Sequence, residues 1–113
     1  MDCIFCQIAA GKIPSDITYQ DEELIAFRDI NPQAPTHLLI IPKKHIPSLA
    51  QLSPAELPLM GRMVDVARKL AKEEGITETG YRLVVNYGEW GGQVVAHLHM
   101  HLLGGRKLAG RLG

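Results

Sequence analysis

A chain of 113 residues lies near the commonest domain size, so residues 1–113 read as a single domain, and 46% hydrophobic content supplies a core and excludes disorder or a collagen-like fibre. Twelve Lys+Arg against twelve Asp+Glu leave a formal net charge of zero, which gives no basic field for nucleic acid or an anionic membrane surface. No run approaches the roughly 18 apolar residues of a membrane span, and Met1-Asp2-Cys3 lacks the basic-then-apolar start of a secretion signal, so a cytoplasmic protein is expected.

In chain order, Ile4, Phe5, Ile8 and Ala9 recur at helical spacing ahead of Gly11 and Pro14, which predicts a short helix from Ile4 to Ala10. Ile17-Thr18-Tyr19 and Leu24-Ile25-Ala26-Phe27 flank an acidic turn, Gln20-Asp21-Glu22-Glu23, the pattern of a hairpin. Prolines between Asn31 and Pro35 forbid regular structure, and the apolar run Leu38-Leu39-Ile40-Ile41, ended by Pro42, reads as a central strand. Ser53 and Glu56 suit a capping box, Pro54 the first helical position and Gly75 a left-handed cap, so a long helix is expected between them. Its expected apolar stripe is Leu57, Met60, Val64, Ala67 and Ala71, with Arg62, Asp65, Arg68, Lys69 and Lys72 toward water. Pro58 lies just beyond the first turn and should bend the start of that helix. Tyr81 to Asn86 reads as a strand, Gly88 to Gly92 as a loop, and Val94 through Leu103 as a final strand ended by Gly104-Gly105. The sum is an α+β fold, a five-stranded antiparallel sheet with one short and one long helix on one face.

His97-Leu98-His99-Met100-His101-Leu102-Leu103 is the sharpest chemical feature. On a strand, the three imidazoles project to one side and Leu98, Met100 and Leu102 to the other, with same-face neighbours about 6.5 to 7 Å apart. Clustered imidazoles depress one another's pKa, and neutral imidazole is both a nucleophile and a metal ligand. His37 or His45 taken alone reads more blandly, as a satisfied or solvated side chain.

This run resembles the His-φ-His-φ-His-φ-φ signature of the histidine triad (HIT) superfamily. Phe27-Arg28-Asp29-Ile30-Asn31-Pro32-Gln33-Ala34-Pro35-Thr36-His37, Ile41-Pro42-Lys43-Lys44-His45, Gly80-Tyr81-Arg82-Leu83-Val84-Val85-Asn86 and Leu103-Gly104-Gly105-Arg106 are similar, in order and spacing, to its nucleotide-binding Hint branch. The resemblance implies a homodimer with a continuous sheet that hydrolyses purine nucleoside 5'-phosphoramidates to an amine and a purine nucleoside monophosphate. His99 would be the nucleophile, forming a nucleotidyl-imidazole, its second nitrogen fixed by an acceptor such as a backbone carbonyl. His37 and His101 would flank the phosphate, stabilising charge on its oxygens and helping protonate the departing amine, and no divalent cation would be required. Asp29 would accept the ribose hydroxyls, Phe27 and Ile30 would sandwich the purine, and Asn86, Gly92, Gln93 and Val94 would belong to the phosphate-facing loop. Each has a plainer rival: a strand-ending aspartate, core packing, a hairpin turn.

Two departures stand out. The Val94 position usually carries serine in that branch, and valine has no hydroxyl to donate, so slower turnover or an altered leaving-group preference is expected. The tail from Lys107 to Gly113 lacks the branch's tryptophan-proline ending.

Cys3-Ile4-Phe5-Cys6, the only two cysteines, is a C-x-x-C that alone means redox chemistry, half a zinc site or nothing. Similarity to microbial HIT members implies a structural zinc on Cys3, Cys6, His45 and His97. Rival functions are a dinucleoside polyphosphate hydrolase of the same superfamily, and a nucleotide-binding or scaffolding module whose turnover is incidental.

Overall fold

The structure, a computed structural model, describes residues 3–112; Met1 and Asp2 of the leader reading and Gly113 of the tail reading lie outside them. The elements are helix α1 (Ile4–Ala9), strands β1 (Ile17–Gln20), β2 (Leu24–Arg28) and β3 (Thr36–Pro42), helix α2 (Leu57–Glu73), and strands β4 (Tyr81–Val84) and β5 (Met100–Gly104). The strands form a five-stranded sheet in the order β1-β2-β3-β5-β4, every neighbouring pair antiparallel. The α+β expectation holds, and no described helix is long and apolar enough to cross a membrane.

The helices lie on opposite faces of the sheet rather than on one. Leu24, Ala26, Leu38, Ile40, Leu98, Met100 and Leu102 pack with Met63, Val66, Ala67, Leu70 and Ala71 of α2. Ile25, Phe27, Leu39 and Ile41 pack with Phe5 and Ile8 of α1. The reason is in the central strands. Leu24 through Phe27 and all of β3 are buried, so both faces are apolar and each needs a cover.

Asp21 closes the β1–β2 turn, its Oδ1 accepting from the backbone N–H of Glu23 at 2.7 Å and of Leu24 at 2.8 Å. Its Oδ2 takes the Tyr19 hydroxyl at 2.7 Å and the Arg62 guanidinium of α2 at 2.8 Å. Burial opposes the charge, but these donors outweigh it and hold the carboxyl down to about 2.

A 3₁₀ turn at Pro54–Glu56 precedes α2, so Pro58 falls in the first helical turn and does not interrupt the hydrogen-bond ladder. The Ser53 N–H donates to the Glu56 carboxylate at 2.9 Å, and Gly75, at φ 74°, makes the left-handed exit. The buried stripe keeps the expected Ala67 and Ala71 but is rotated from the rest of the expected one: Leu57 is 57% exposed and Val64 38%, whereas Met63, Val66 and Leu70 face the sheet. Both stripes satisfy 3–4 spacing, and the sheet selects the one carrying more apolar bulk.

The last strand begins at Met100, not Val94, leaving His97 and His99 on an extended segment ahead of it. Continuing the β3–β5 register past Ile40↔Met100 would set Pro42 against Leu98. Pro42 has no N–H, its carbonyl accepts from the His97 ring at 2.8 Å, and the Leu98 N–H turns to the Ile46 carbonyl at 2.7 Å. Side-chain alternation nonetheless persists through the segment: Leu98, Met100 and Leu102 enter the α2-side core and the imidazoles the α1 side.

At the far end of the sheet, Arg28 and Thr36 point to the α2 face while Asp29 and His37 point to the other. Arg28 donates a fork to Glu74 at 2.9 and 2.8 Å, and the Thr36 hydroxyl lies 3.4 Å from the same carboxylate. The Arg28 pairing first, against some burial, lowers the Glu74 pKa. An acidic residue at a helix C-terminus faces the negative end of the helix dipole, so this position calls for such a cation.

Candidate functional site

On the α1 face the sheet carries an open cavity of about 480 Å³. Its floor holds His37, His99, His101, Leu39 and Phe27; Ile4, Phe5 and Ile8 of α1 form one wall; Asp29, Ile30 and Val94 stand at its margin. Phe27 is buried with its ring edge-on to Phe5 at 5.6 Å, whereas Ile30 and Val94 are 91% and 89% exposed on the rim.

The hydrogen bonds fix which nitrogen of each ring carries the proton. His99 Nδ1 lies 2.7 Å from the His97 carbonyl oxygen, which can only accept, so Nδ1 holds the proton and Nε2 is left as a bare lone pair. His37 Nδ1 accepts the Gln33 N–H at 3.0 Å, which puts that ring's proton on Nε2. From there it is donated to His101 Nδ1 at 2.9 Å, with Asp29 Oδ2 at 3.4 Å. The remaining His101 nitrogen, Nε2, is therefore an N–H donor. One bare nitrogen and one donor stand on adjacent rings whose centroids are 5.1 Å apart.

His37 and His101 are held in the neutral form at pH 7. Burial, then the neighbouring His99 and His37, push His101 down to about 4 against the pull of Asp29. Burial also lowers His37, with Asp29 opposing. Asp29 is oriented by its own backbone turn: its N–H donates to the His37 carbonyl at 3.0 Å, and its Oδ1 accepts from Asn31 N–H at 2.8 Å.

Asn86, Gly92 and Gln93 do not line the cavity, a departure from the expected phosphate-facing loop. Asn86 Nδ2 donates to the Gly91 carbonyl at 2.7 Å, and the Gln93 amide donates to the Pro47 and Val95 carbonyls at 2.8 and 3.1 Å while its oxygen accepts from Gly88. They build the loop that delivers Val94. A Cβ on Gly91 would overlap the Tyr87 carbonyl, so only glycine fits there. Trp90, at the tip of this loop, is fully exposed.

The wall from α1 was not among the residues expected at the site. Its signal was present in Phe5, held between two cysteines, with Ile8 three residues on.

Beside the cavity, ligand atoms of Cys3, Cys6, His45 and His97 lie within 4.8 Å of one another. His97 Nδ1 is 3.4 Å from Cys3 Sγ, 3.5 Å from Cys6 Sγ and 3.2 Å from His45 Nδ1, and His45 Nδ1 is 3.2 Å from Cys6 Sγ. Tetrahedral zinc with thiolate and imidazole ligands requires separations of about 3.3 to 3.8 Å, so the donor set fits. Nε2–H of His97 is committed to the Pro42 carbonyl, which leaves Nδ1 free to ligate.

Comparison with known proteins agrees with this geometry. Residues 10–108 match the family described as HIT domain. The chain is 55% identical over 107 residues to the purine nucleoside phosphoramidase of Escherichia coli strain K12, covering 95% of this chain and 90% of that one. It is 50% identical over 107 residues to the 14 kDa zinc-binding protein of Zea mays, covering 93% and 83%. The crystal structure of a HIT family hydrolase from Legionella pneumophila superposes with a TM-score of 0.96 at 50% identity, covering 99% of this chain and 100% of that one.

Proposed function

Since the chain belongs to the HIT family, we propose that this hydrolase is a cytoplasmic phosphoramidase, a single domain that cleaves the P–N bond of purine nucleoside 5'-phosphoramidates. The observation that carries this reading is the bare Nε2 of His99, facing the cavity with its ring locked from behind by the His97 carbonyl. His99 Nε2 attacks the α-phosphorus, and the P–N bond breaks as the departing amine takes a proton from solvent while His101 Nε2–H donates a hydrogen bond to it. Water then attacks the phosphorus of the nucleotidyl-His99, the P–N bond to the imidazole breaks, a proton passes to solvent, and the nucleoside monophosphate leaves with His99 restored. His37, hydrogen-bonded to His101 Nδ1, keeps that ring's N–H on Nε2 and turned to the phosphate. Asp29 binds the ribose hydroxyls, and Phe27 and Ile30 contact the purine. Asn86, Gly92 and Gln93 act by holding the loop whose Val94 meets the phosphate region.

Side chains and water supply every group in these steps, so the mechanism requires no divalent cation. Cys3, Cys6, His45 and His97 would hold zinc as a closed four-ligand structural site, which would tie α1 to the sheet. Two subunits associate through the free β4 edge and α2, where Leu57 and Val64 are exposed.

Val94 favours a second reading, a nucleotide-binding module with incidental turnover, because the rim lacks a hydroxyl donor there. Amine release from adenosine 5'-phosphoramidate by wild type, His99→Ala and Val94→Ser separates the two. Turnover lost in His99→Ala and raised by up to about a hundredfold in Val94→Ser supports the phosphoramidase. Tight adenosine monophosphate binding without amine release in wild type supports the binding module. Rapid cleavage of a dinucleoside polyphosphate without phosphoramidate turnover would move the protein to that other hydrolase class.

A further inference from the structure

We infer that the Cys3, Cys6, His45, His97 cluster and the neighbouring cavity form one coupled unit, in which Phe5 and His97 are positioning residues that make metal occupancy and nucleotide binding mutually dependent. For its ligand the inference rests on the nucleotide reading above; its route rests on two connections in the structure.

The first runs through α1. This helix has six residues and no side-chain cap, too short to persist without tertiary contacts. The thiols of Cys3, at its N-cap, and of Cys6, in its first turn, turn to His97 and His45, while Ile4, Phe5 and Ile8 wall the cavity. One docked helix thus serves both sites. The second runs through His97, whose Nδ1 faces the thiols while its backbone carbonyl holds the Nδ1–H of His99. Phe5 joins the two, its buried ring edge-on to His97 at 5.9 Å and to His99 at 5.2 Å.

A metal that fixes α1 removes the ordering cost that a nucleotide would otherwise meet, and by linkage the nucleotide must tighten the metal by the same factor. A metal that only stabilises the fold would raise the melting temperature and leave nucleotide affinity unchanged.

The test is calorimetric titration of adenosine monophosphate into zinc-loaded protein and into the same protein after chelation, with zinc affinity measured by chelator competition with and without saturating nucleotide. Tighter nucleotide binding in the zinc-loaded form, by a factor in the range of about 5 to 150, and an equal gain in zinc affinity are expected. Equal nucleotide affinities in the two forms would overturn the coupling. Phe5→Leu keeps the thiols and an apolar helix face but loses the ring contacts; zinc should still bind and the coupling factor should fall toward one, and full coupling in this variant would remove Phe5 from the route. If adenosine monophosphate binds neither form, the nucleotide reading fails and the coupling is judged without it. Zinc must then slow exchange of the Gln7 and Ala10 amides, each 3.0 Å from a cysteine carbonyl, and must shift the His99 ring nitrogen resonances. No change in either would refute it.

Discussion

His101 sits close to two other imidazoles, and its neutral ring offers the cavity an N–H donor. Burial and its neighbours hold it down to about 4, so a hydrogen bond rather than a positive charge defines its state at pH 7. The consequence for stability follows from linkage. The unfolded chain takes up a proton on His101 below about 6.5, the folded chain only near 4, so stability falls as pH drops through that window, and His37 acts in the same direction. Urea midpoints measured from pH 7 to 4 should decline, and His101→Asn should flatten the decline relative to wild type; an unchanged slope would contradict the assignment. At this scale the sequence was most informative where periodicity carries meaning. Alternation at residues 97 to 101 predicts one imidazole face, and the structure keeps it. The loop residues Asn86, Gly92 and Gln93 were legible as a group but not in their task, because polar side chains satisfy backbone groups as readily as ligands, and local sequence does not say which.

Between elements, sequence pattern settled type better than orientation. The hairpin, the capping box at Ser53 and the glycine exit at Gly75 depend on local chemistry and appear as expected. The side on which α1 packs, the rotation of α2 and the late start of β5 depend on partners distant in the chain, such as Pro42 opposite the triad segment. The Arg28–Glu74 fork belongs to this class, since 46 residues separate its members. It clamps both ends of the loop between β2 and β3 from the α2 face, while the same loop presents Asp29 and His37 on the other. Glu74→Gln should therefore raise KM for a nucleoside phosphoramidate several-fold with a smaller change in kcat, at a stability cost of about 1 kcal/mol. Steady-state kinetics with a melting curve will check it; lost stability with unchanged KM would leave the clamp a purely structural role.

For the molecule as a whole, the sheet is a partition with packing against α2 on one side and chemistry on the other. That division leaves the β4 edge and the outer face of α2 free for a second copy, and light scattering should return the mass of a dimer. A stable monomer at micromolar concentration would count against that assembly. One feature of the chemical side serves the experimenter as well. Trp90 is the only tryptophan and stands in water at the tip of the glycine loop that delivers Val94. The protein thus carries a native fluorophore a few residues from its own cavity. Its emission should be red-shifted and open to iodide quenching, and any ligand or subunit that covers the loop would announce itself as a blue shift, with no dye attached and no residue changed.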